Sequence, residues 1–417
     1  MMEEKSSCRR RVDCRLCGST QLVLVFSLEP TPPANAFVPL SLRHRTQECF
    51  PLNVFLCEEC AHLQLLDIVS PALLFEDYIY VSGTSPVFVR HFEEYAHALL
   101  KRFRPEPGAL VIDIGSNDGT LLSFFKDAGY RILGIDPARD IAQRASERGI
   151  ETLCGFFGAD FAEQLRGTRG SAVLITANNV FAHIDDLAEV VRGVRRLLVP
   201  NGIFVFEVSY LLDVIENTLF DTIYHEHLDY HSVAPLVRFF ASHGLEMIEA
   251  ERITPHGGSL RGIVQVAGGS YSVGASVAVA IEAERLAGLD RAETFHTFAR
   301  HIDALKVELG GLLRRLKSEG KRIAGFGAPA KATTLMYHFG LGPELIDFIV
   351  DDSPLKQGLF TPGLHIPVLS SAALVERQPD FLLILAWNFA SSIITKNAAF
   401  HDAGGRFIVP LPHLKVI

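Results

Sequence analysis

Two imidazoles, a carboxylate and a phenol stand in four consecutive residues, Tyr224-His225-Glu226-His227. Such a set moves protons near neutral pH or binds a metal ion. A catalytic metal needs a third ligand, and no further histidine or acid stands beside the cluster at ligand spacing. A helical His-Glu-x-x-His pattern is also absent. Proton transfer is therefore the favoured reading, with a catalytic metal or a purely structural cluster as alternatives. An extended backbone here would put His225 and His227 on one face and Tyr224 and Glu226 on the other.

Cys14-x-x-Cys17 and Cys57-x-x-Cys60 are two knuckles separated by 39 residues. Zinc takes four thiolates in a tetrahedron, and a two-residue gap lets both sulfurs of one turn face a single ion. Gly18 helps the first turn bend. Four sulfurs leave no open position, so the predicted Zn2+ is structural. The intervening span exceeds that of a compact zinc ribbon, so the pairs must meet across a folded insert. Seven cysteines in 417 residues are too few for a disulfide scaffold; Cys8, Cys49 and Cys154 are spares.

An apolar strand predicted over 109–114 runs into Gly115-Ser116-Asn117-Asp118-Gly119. A helix over 120–128 follows, then a second strand over 130–135 ending in Asp136. Glycines at such a turn let a ligand approach backbone N–H groups, and the acid ending the second strand can accept both ribose hydroxyls. The glycines are not spaced as in the usual dinucleotide fingerprint. Asp113 and Asp118 add negative charge, which would repel a pyrophosphate but suits a cationic ligand. The pattern resembles the S-adenosyl-L-methionine (SAM) site of class I methyltransferases. Gly155-Phe156-Phe157, where a third strand should end, is suited either to flanking an adenine or to the core.

A fourth strand over 172–176 leads into Asn178-Asn179, with His183 just beyond. Polar groups at the carboxyl end of a central strand face the ligand crevice, so Asn179 is a candidate for SAM and His183 for the substrate. A fifth strand over 203–208 precedes the Tyr224–His227 cluster. Further on, a strand over 321–326 enters Gly327-Ala-Pro-Ala-Lys331 and a helix. A glycine loop with a lysine at a helix start can hold phosphates, so Gly327 and Lys331 are candidates for substrate binding. Trp387-Asn388, after a strand over 381–386, reaches the same edge, and Asn388 joins them. The alternative is a unit that only packs.

These groups need a scaffold of two or three domains, which 417 residues allow. Zinc-binding residues 1–74 precede an α/β unit over 75–270 and a second α/β unit over 271–417. Phe295, Phe298, Ile302, Leu305, Leu309, Leu312 and Leu316 recur at helical spacing and mark a long amphipathic helix. It is read as packing on its own chain rather than as a dimerising coiled coil, and the chain as a monomer or weak homo-oligomer. A net charge of −9 argues against a nucleic-acid partner. Arg9-Arg10-Arg11 is read as a solvated, frayed terminus. No apolar run reaches the roughly 18 residues of a membrane helix, and residues 1–30 hold no signal core. A cytoplasmic protein without a membrane partner is the expectation.

Four elements now stand in order: the paired cysteine knuckles, Asp113-Ile-Gly-Ser-Asn-Asp-Gly119, Tyr224-His-Glu-His227 and Gly325-Phe-Gly-Ala-Pro-Ala-Lys331. Together they resemble the SAM-dependent deoxysugar C-methyltransferases over nearly the whole chain. The resemblance implies a class I methyltransferase domain flanked by a small zinc-binding domain and a C-terminal Rossmann-like domain. It further implies methylation at carbon of a nucleotide-linked keto-sugar, commonly a dTDP-4-keto-6-deoxyhexose. The family's general base, the second histidine of its motif, corresponds to His227, and Tyr224, Glu226, His183 and Tyr78 correspond to residues lining the sugar site. His225 is left without a defined role. Ser209 stands where a proline is expected and His231 where an aromatic residue is expected, both near the sugar pocket. Methylation at oxygen or nitrogen of another small molecule, or an inactive nucleotide-sugar binding protein, are the competing readings.

Overall fold

The strand expected at 109–114 forms as Leu110–Ile114 and lies third from one edge of a seven-stranded sheet. The structure is a computed structural model describing residues 7–75, 83, 86–254 and 257–417; Tyr78 falls outside them. In space the strands run Thr152–Cys154, Arg131–Asp136, Leu110–Ile114, Ala172–Asn178, Leu198–Ser209, Ser259–Val266 and Leu245–Ile253. The first five are parallel, and Ser259–Val266 is antiparallel to both neighbours. Helices such as Thr120–Asp127 and Leu187–Leu197 make the crossovers. This order, with one reversed strand wedged beside the edge, is the class I methyltransferase fold. Strand order reverses between Leu110–Ile114 and Ala172–Asn178, and ligands of such sheets bind at that switch point. Leu110–Ile114 is buried throughout, as a central parallel strand covered on both faces must be.

The N-terminal unit is an antiparallel sheet of Leu22–Thr31, Phe50–Cys57 and Leu63–Leu65. Its fourth strand, Asp229–Tyr230, comes from the methyltransferase unit, directly after the Tyr224–His227 cluster. The arginine triplet is not a frayed terminus. Cys8–Arg10 pairs with Asp67–Val69, Arg10 bonds Asp67 at 2.6 Å, and Arg9 and Arg11 both reach Asp185. Carboxylates far along the chain neutralise these charges, which local composition does not reveal.

The C-terminal unit has the strand order Val368–Leu369, Ile349–Val350, Ile323–Phe326, Phe381–Ile384, Arg406–Val409 and Lys415–Val416, parallel except for the last. It is a second Rossmann-like unit. The long helix forms as Ala292–Ser318 and buries the expected stripe, except that Leu313 rather than Leu312 is fully covered. The stripe packs on the chain's own N-terminal sheet, with Phe298 edge-on to Phe26 at 5.9 Å. Among the described residues no helix is long and apolar enough to cross a membrane.

Candidate active site

Residues 224–227 are a turn, not a strand: the His227 N–H donates to the Tyr224 carbonyl at 2.8 Å. The alternating faces of an extended segment are therefore corrected. The turn folds Tyr224 onto His227, with ring centroids 4.1 Å apart and the hydroxyl 3.0 Å from Nε2. His227 Nδ1 lies 2.7 Å from the Thr222 carbonyl oxygen. A carbonyl only accepts, so Nδ1 carries the proton and Nε2 presents its lone pair, toward which Tyr224 donates. Burial holds His227 down to about 4, and the Thr222 carbonyl pulls the other way. The ring is thus a neutral imidazole at physiological pH.

His183, on the turn Phe181–His183, brings its ring centroid to 4.9 Å from that of His227. Burial first, then the neighbouring His227, depress it well below the usual imidazole range. The two segments are joined directly, since the Leu228 N–H donates to the Ala182 carbonyl at 2.9 Å.

His225 and Glu226 point elsewhere. His225 donates from Nε2 to the Phe50 carbonyl at 3.1 Å and is buried against the N-terminal sheet. Glu226 accepts from Asn35 Nδ2 at 2.9 Å, and burial pushes its carboxyl up to about 7 against the pull of that bond. The turn therefore places Tyr224, His227 and His183 together and sends the other two into the N-terminal unit. His231 directly follows the strand Asp229–Tyr230. It is fully buried, 5.6 Å from the His62 ring and 5.5 Å from that of Phe181.

At the switch point the loop has Gly115, Asn117 and Gly119 in left-handed conformations, at φ 70°, 50° and 78°. A Cβ on Gly115 would meet Val180 at 2.7 Å, so this loop packs on the residue that begins the His183 turn. Asp136 accepts the Asn117 and Ala138 N–H groups, each at 2.9 Å, and an ionised carboxylate keeps further lone pairs for ribose hydroxyls. Ser116 Oγ is buried without a partner, and Asn179, at φ 56°, follows the neighbouring strand. This cradle of left-handed turn backbone, one acid and one unpaired hydroxyl fits a nucleoside with a cationic tail.

The strand acid Asp113 and the loop acid Asp118 divide differently than their charges suggest. Asp113 accepts from Thr176 Oγ1 at 2.6 Å, and burial raises it to about 7. Asp118 is taken up by its own helix start, Thr120 Oγ1 at 2.7 Å, and by Arg148. Phe157 joins the core, whereas Phe156 is exposed just past the third strand.

Cys14 and Cys60 sulfurs lie 3.6 Å apart, as do those of Cys17 and Cys57, and all four fall within 4.8 Å of one another. A tetrahedron with Zn–S bonds of about 2.3 Å has edges of about 3.8 Å, so the four thiolates fit zinc. Gly18 closes the first knuckle at φ 73°, its N–H on the Cys14 carbonyl at 2.9 Å.

In the C-terminal unit Gly327 is at φ 86°, against Ala386, and Asp351 accepts the Ala328 N–H at 2.6 Å. Lys331 is mostly buried, 3.7 Å from Asp221 and 4.4 Å from the Trp387 ring centroid. Trp387 donates to the same carboxylate, and Asn388 Oδ1 is buried without a partner. Thr334 Oγ1 donates to the Ile223 carbonyl at 2.8 Å.

Sequence reasoning missed Thr222, Asp221, Asp185 and a buried group of Glu207, Arg261 and His91. Glu207 lies 2.7 Å from Arg261 Nε and 2.8 Å from His91. Only Glu207 carried a signal, as a charge at the end of an otherwise apolar strand.

Residues 14–75 match the family model for a zinc binding domain, 88–250 that for a methyltransferase domain, and 254–412 that for a C-methyltransferase C-terminal domain. The C-methyltransferase NovU of Streptomyces niveus is 36% identical over 405 residues, covering 97% of this chain and 96% of that protein. A ubiquinone biosynthesis O-methyltransferase of Burkholderia pseudomallei is 26% identical over 184 residues, covering 41% of this chain and 76% of that protein. Among solved structures, the magnesium protoporphyrin IX methyltransferase (ChlM) of Synechocystis with bound SAH aligns at a TM-score of 0.35 and 15% identity, over 46% of this chain and 90% of that chain.

Proposed function

The chain belongs to the SAM-dependent C-methyltransferases, and from that premise we propose that its acceptor is a carbon beside the ketone of a nucleotide-linked deoxysugar, a dTDP-4-keto-6-deoxyhexose or a close relative. The observation that carries this is the Tyr224–His227 pair, with Nδ1 committed to Thr222 and Nε2 available. Transfer to oxygen or nitrogen needs no such base beside an acidic C–H bond.

SAM, when bound, supplies an electrophilic methyl on a cationic sulfur. His227 Nε2 takes the proton from the ring carbon. The electron pair of that C–H bond becomes the enolate double bond, and the carbonyl pair moves to oxygen. Tyr224, released from Nε2, donates its hydroxyl to the enolate oxygen. The enolate carbon is then the nucleophile for the methyl that bound SAM would supply, with the S–CH3 electron pair going to sulfur. Burial disfavours an isolated imidazolium, but here it forms together with an enolate, so the site gains no net charge. His183, its ring centroid 4.9 Å from that of His227, is assigned to the sugar site, and Glu226 with Asn35 orients the turn. Tyr78 is assigned to the sugar site by resemblance alone.

SAM is assigned to Asp113, Gly115, Ser116, Asn117, Gly119, Asp136 and Asn179. The nucleotide end of the substrate is assigned to the C-terminal crevice at Gly327, Lys331 and Asn388. Lys331 must exchange Asp221 for a phosphate to take part.

The test is incubation with SAM and a panel of keto-sugar nucleotides, read by mass spectrometry and NMR. One added methyl on ring carbon is the expected result. A methyl on oxygen or nitrogen, or none on any keto-sugar, rejects the proposal.

A further inference from the structure

The first zinc knuckle reads Cys14-Arg15-Leu16-Cys17, and its Arg15 side chain has no solvent exposure. A buried guanidinium needs its donors placed; here Nε and Nη1 find hydrogen-bond partners on two segments, a third segment lies within ion-pair distance, and Nη2 has none among the described residues. Nε reaches Asp185 at 3.0 Å. Nη1 donates to the Leu65 carbonyl at 2.5 Å and to Gln64 Oε1 at 3.1 Å. Asp229 Oδ2 stands 3.9 Å from Nε, and its other oxygen is 2.6 Å from His62 Nε2, two residues past Cys60.

Asp185 lies two residues after His183, and Asp229 two residues after His227. Both carboxylates therefore leave the proton-transfer turns and enter the zinc unit at once. Backbone bonds repeat the connection, with Leu65 N–H on the Leu228 carbonyl and Leu228 N–H on the Ala182 carbonyl, each at 2.9 Å. Asp185 is also a hub, taking Arg9 and Arg11 besides Arg15.

We infer that Arg15 is a positioning residue for the reaction. Displayed by the zinc knuckle, it holds the His183 turn through Asp185 and the His227 turn beside Asp229, and so sets the 4.9 Å spacing of the two histidine rings. The zinc site is then a brace for the proton-transfer centre rather than only a fold staple. Arginine suits the task because its planar fork serves Asp185 and the Leu65 carbonyl in different directions, which a lysine cannot do.

The inference rests on the assignment of proton transfer to His227. The experiment compares Asp185→Asn, Arg15→Gln, Arg15→Lys and His227→Asn as zinc-loaded enzymes. Readouts are zinc per chain, melting temperature, the KM for SAM, kcat, and deuterium wash-in to the substrate carbon without SAM. The substrate is the keto-sugar nucleotide that gains a methyl in the panel. Misplacing a base by a fraction of an ångström to one ångström costs on the order of 10- to 100-fold. Asp185→Asn, at a partly exposed position, should keep zinc, fold and the KM for SAM while kcat and wash-in fall together by that factor. Arg15→Lys should not restore the rate, and combining Arg15→Gln with Asp185→Asn should cost little more than the worse single change. Full kcat in Asp185→Asn, or a loss in Arg15→Gln that merely follows lost zinc, overturns the brace. Unchanged wash-in and kcat in His227→Asn overturns the base assignment instead.

Discussion

Trp387 donates its indole N–H to Asp221 at 2.6 Å and so ties the C-terminal unit to the stretch that enters the Tyr224–His227 turn. Asp221 has no solvent exposure, and Lys331 approaches the same carboxylate from the same unit. Burial works to raise the acid, and Lys331 and Trp387 pull it back. Asp221 precedes Thr222, whose carbonyl sets the His227 tautomer, so the second Rossmann-like unit helps hold His227.

Removing that carboxylate strands a buried cation and a buried indole donor. Asp221→Ala should therefore destabilise the protein by about 3–5 kcal/mol. Adding Lys331→Met should recover part of the loss, because the uncompensated charge then goes too. Thermal melting of the single and double variants checks both; an Asp221→Ala protein melting like the parent would dismiss the tie.

His227→Asn keeps a polar group at the turn but removes the basic nitrogen. General-base catalysis typically contributes about 10²–10⁴-fold, and kcat should fall by that range while calorimetry shows SAM binding unchanged. Tyr224→Phe should slow wash-in as well, by about 10²–10³-fold, because the enolate oxygen loses its donor. Turnover undiminished in His227→Asn would falsify the role.

Acid should unfold this protein through its histidines. His225, His227, His231 and His338 are each held down to about 4, with burial the largest cause. Unfolded histidine titrates near 6.5, roughly. Between those values the unfolded chain binds more protons, so stability is complete above about 6.5 and is lost as pH falls toward 4. Asp113 and Glu226, raised to about 7 by burial, act oppositely: their contribution is present below about 4 and is lost as pH rises through 7. Asp136, Asp213, Asp221 and Glu284 are raised by burial too and offset part of the loss that these four histidines and His183 drive. Melting temperature followed from pH 7 to about 4.5 should fall. The acid limb of kcat/KM should also sit below the usual imidazole value of about 6.5, and a limb at or above it would contradict a neutral buried His227.

Gly115→Ala tests the SAM loop. The position is left-handed and a Cβ there meets Val180 at 2.7 Å, so loop and His183 turn must separate. Weaker SAM binding, by about 10-fold or more (about 1.4 kcal/mol), together with a lower kcat, is expected in calorimetry and steady-state assays. A variant that binds SAM like the parent would remove Gly115 from the site.

Local spacing carried the chemistry that depends on neighbours in the chain. The two Cys-x-x-Cys turns, the Gly115–Gly119 loop with Asp136 one strand on, and the stripe from Phe295 to Leu316 all formed as expected, because knuckle, βαβ turn and helix periodicity are short-range properties. The same logic failed at Tyr224–His227, where alternation assumes an extended chain and the chain makes a turn. It failed again for Arg9-Arg10-Arg11, whose carboxylate partners are Asp67 and Asp185.

By itself, the sequence determined which groups this protein would own: four thiolates for zinc, a glycine loop for SAM and a tyrosine–histidine cluster. Only the tertiary structure decided what each group faces. Arg15 meets Asp185 across 170 residues and Asp221 meets Trp387 across 166. Buried charges and donors must find partners wherever packing brings one. Such pairing leaves no period or spacing in a single chain to read, yet it turns His225 onto the Phe50 carbonyl and leaves the His227 Nε2 facing Tyr224.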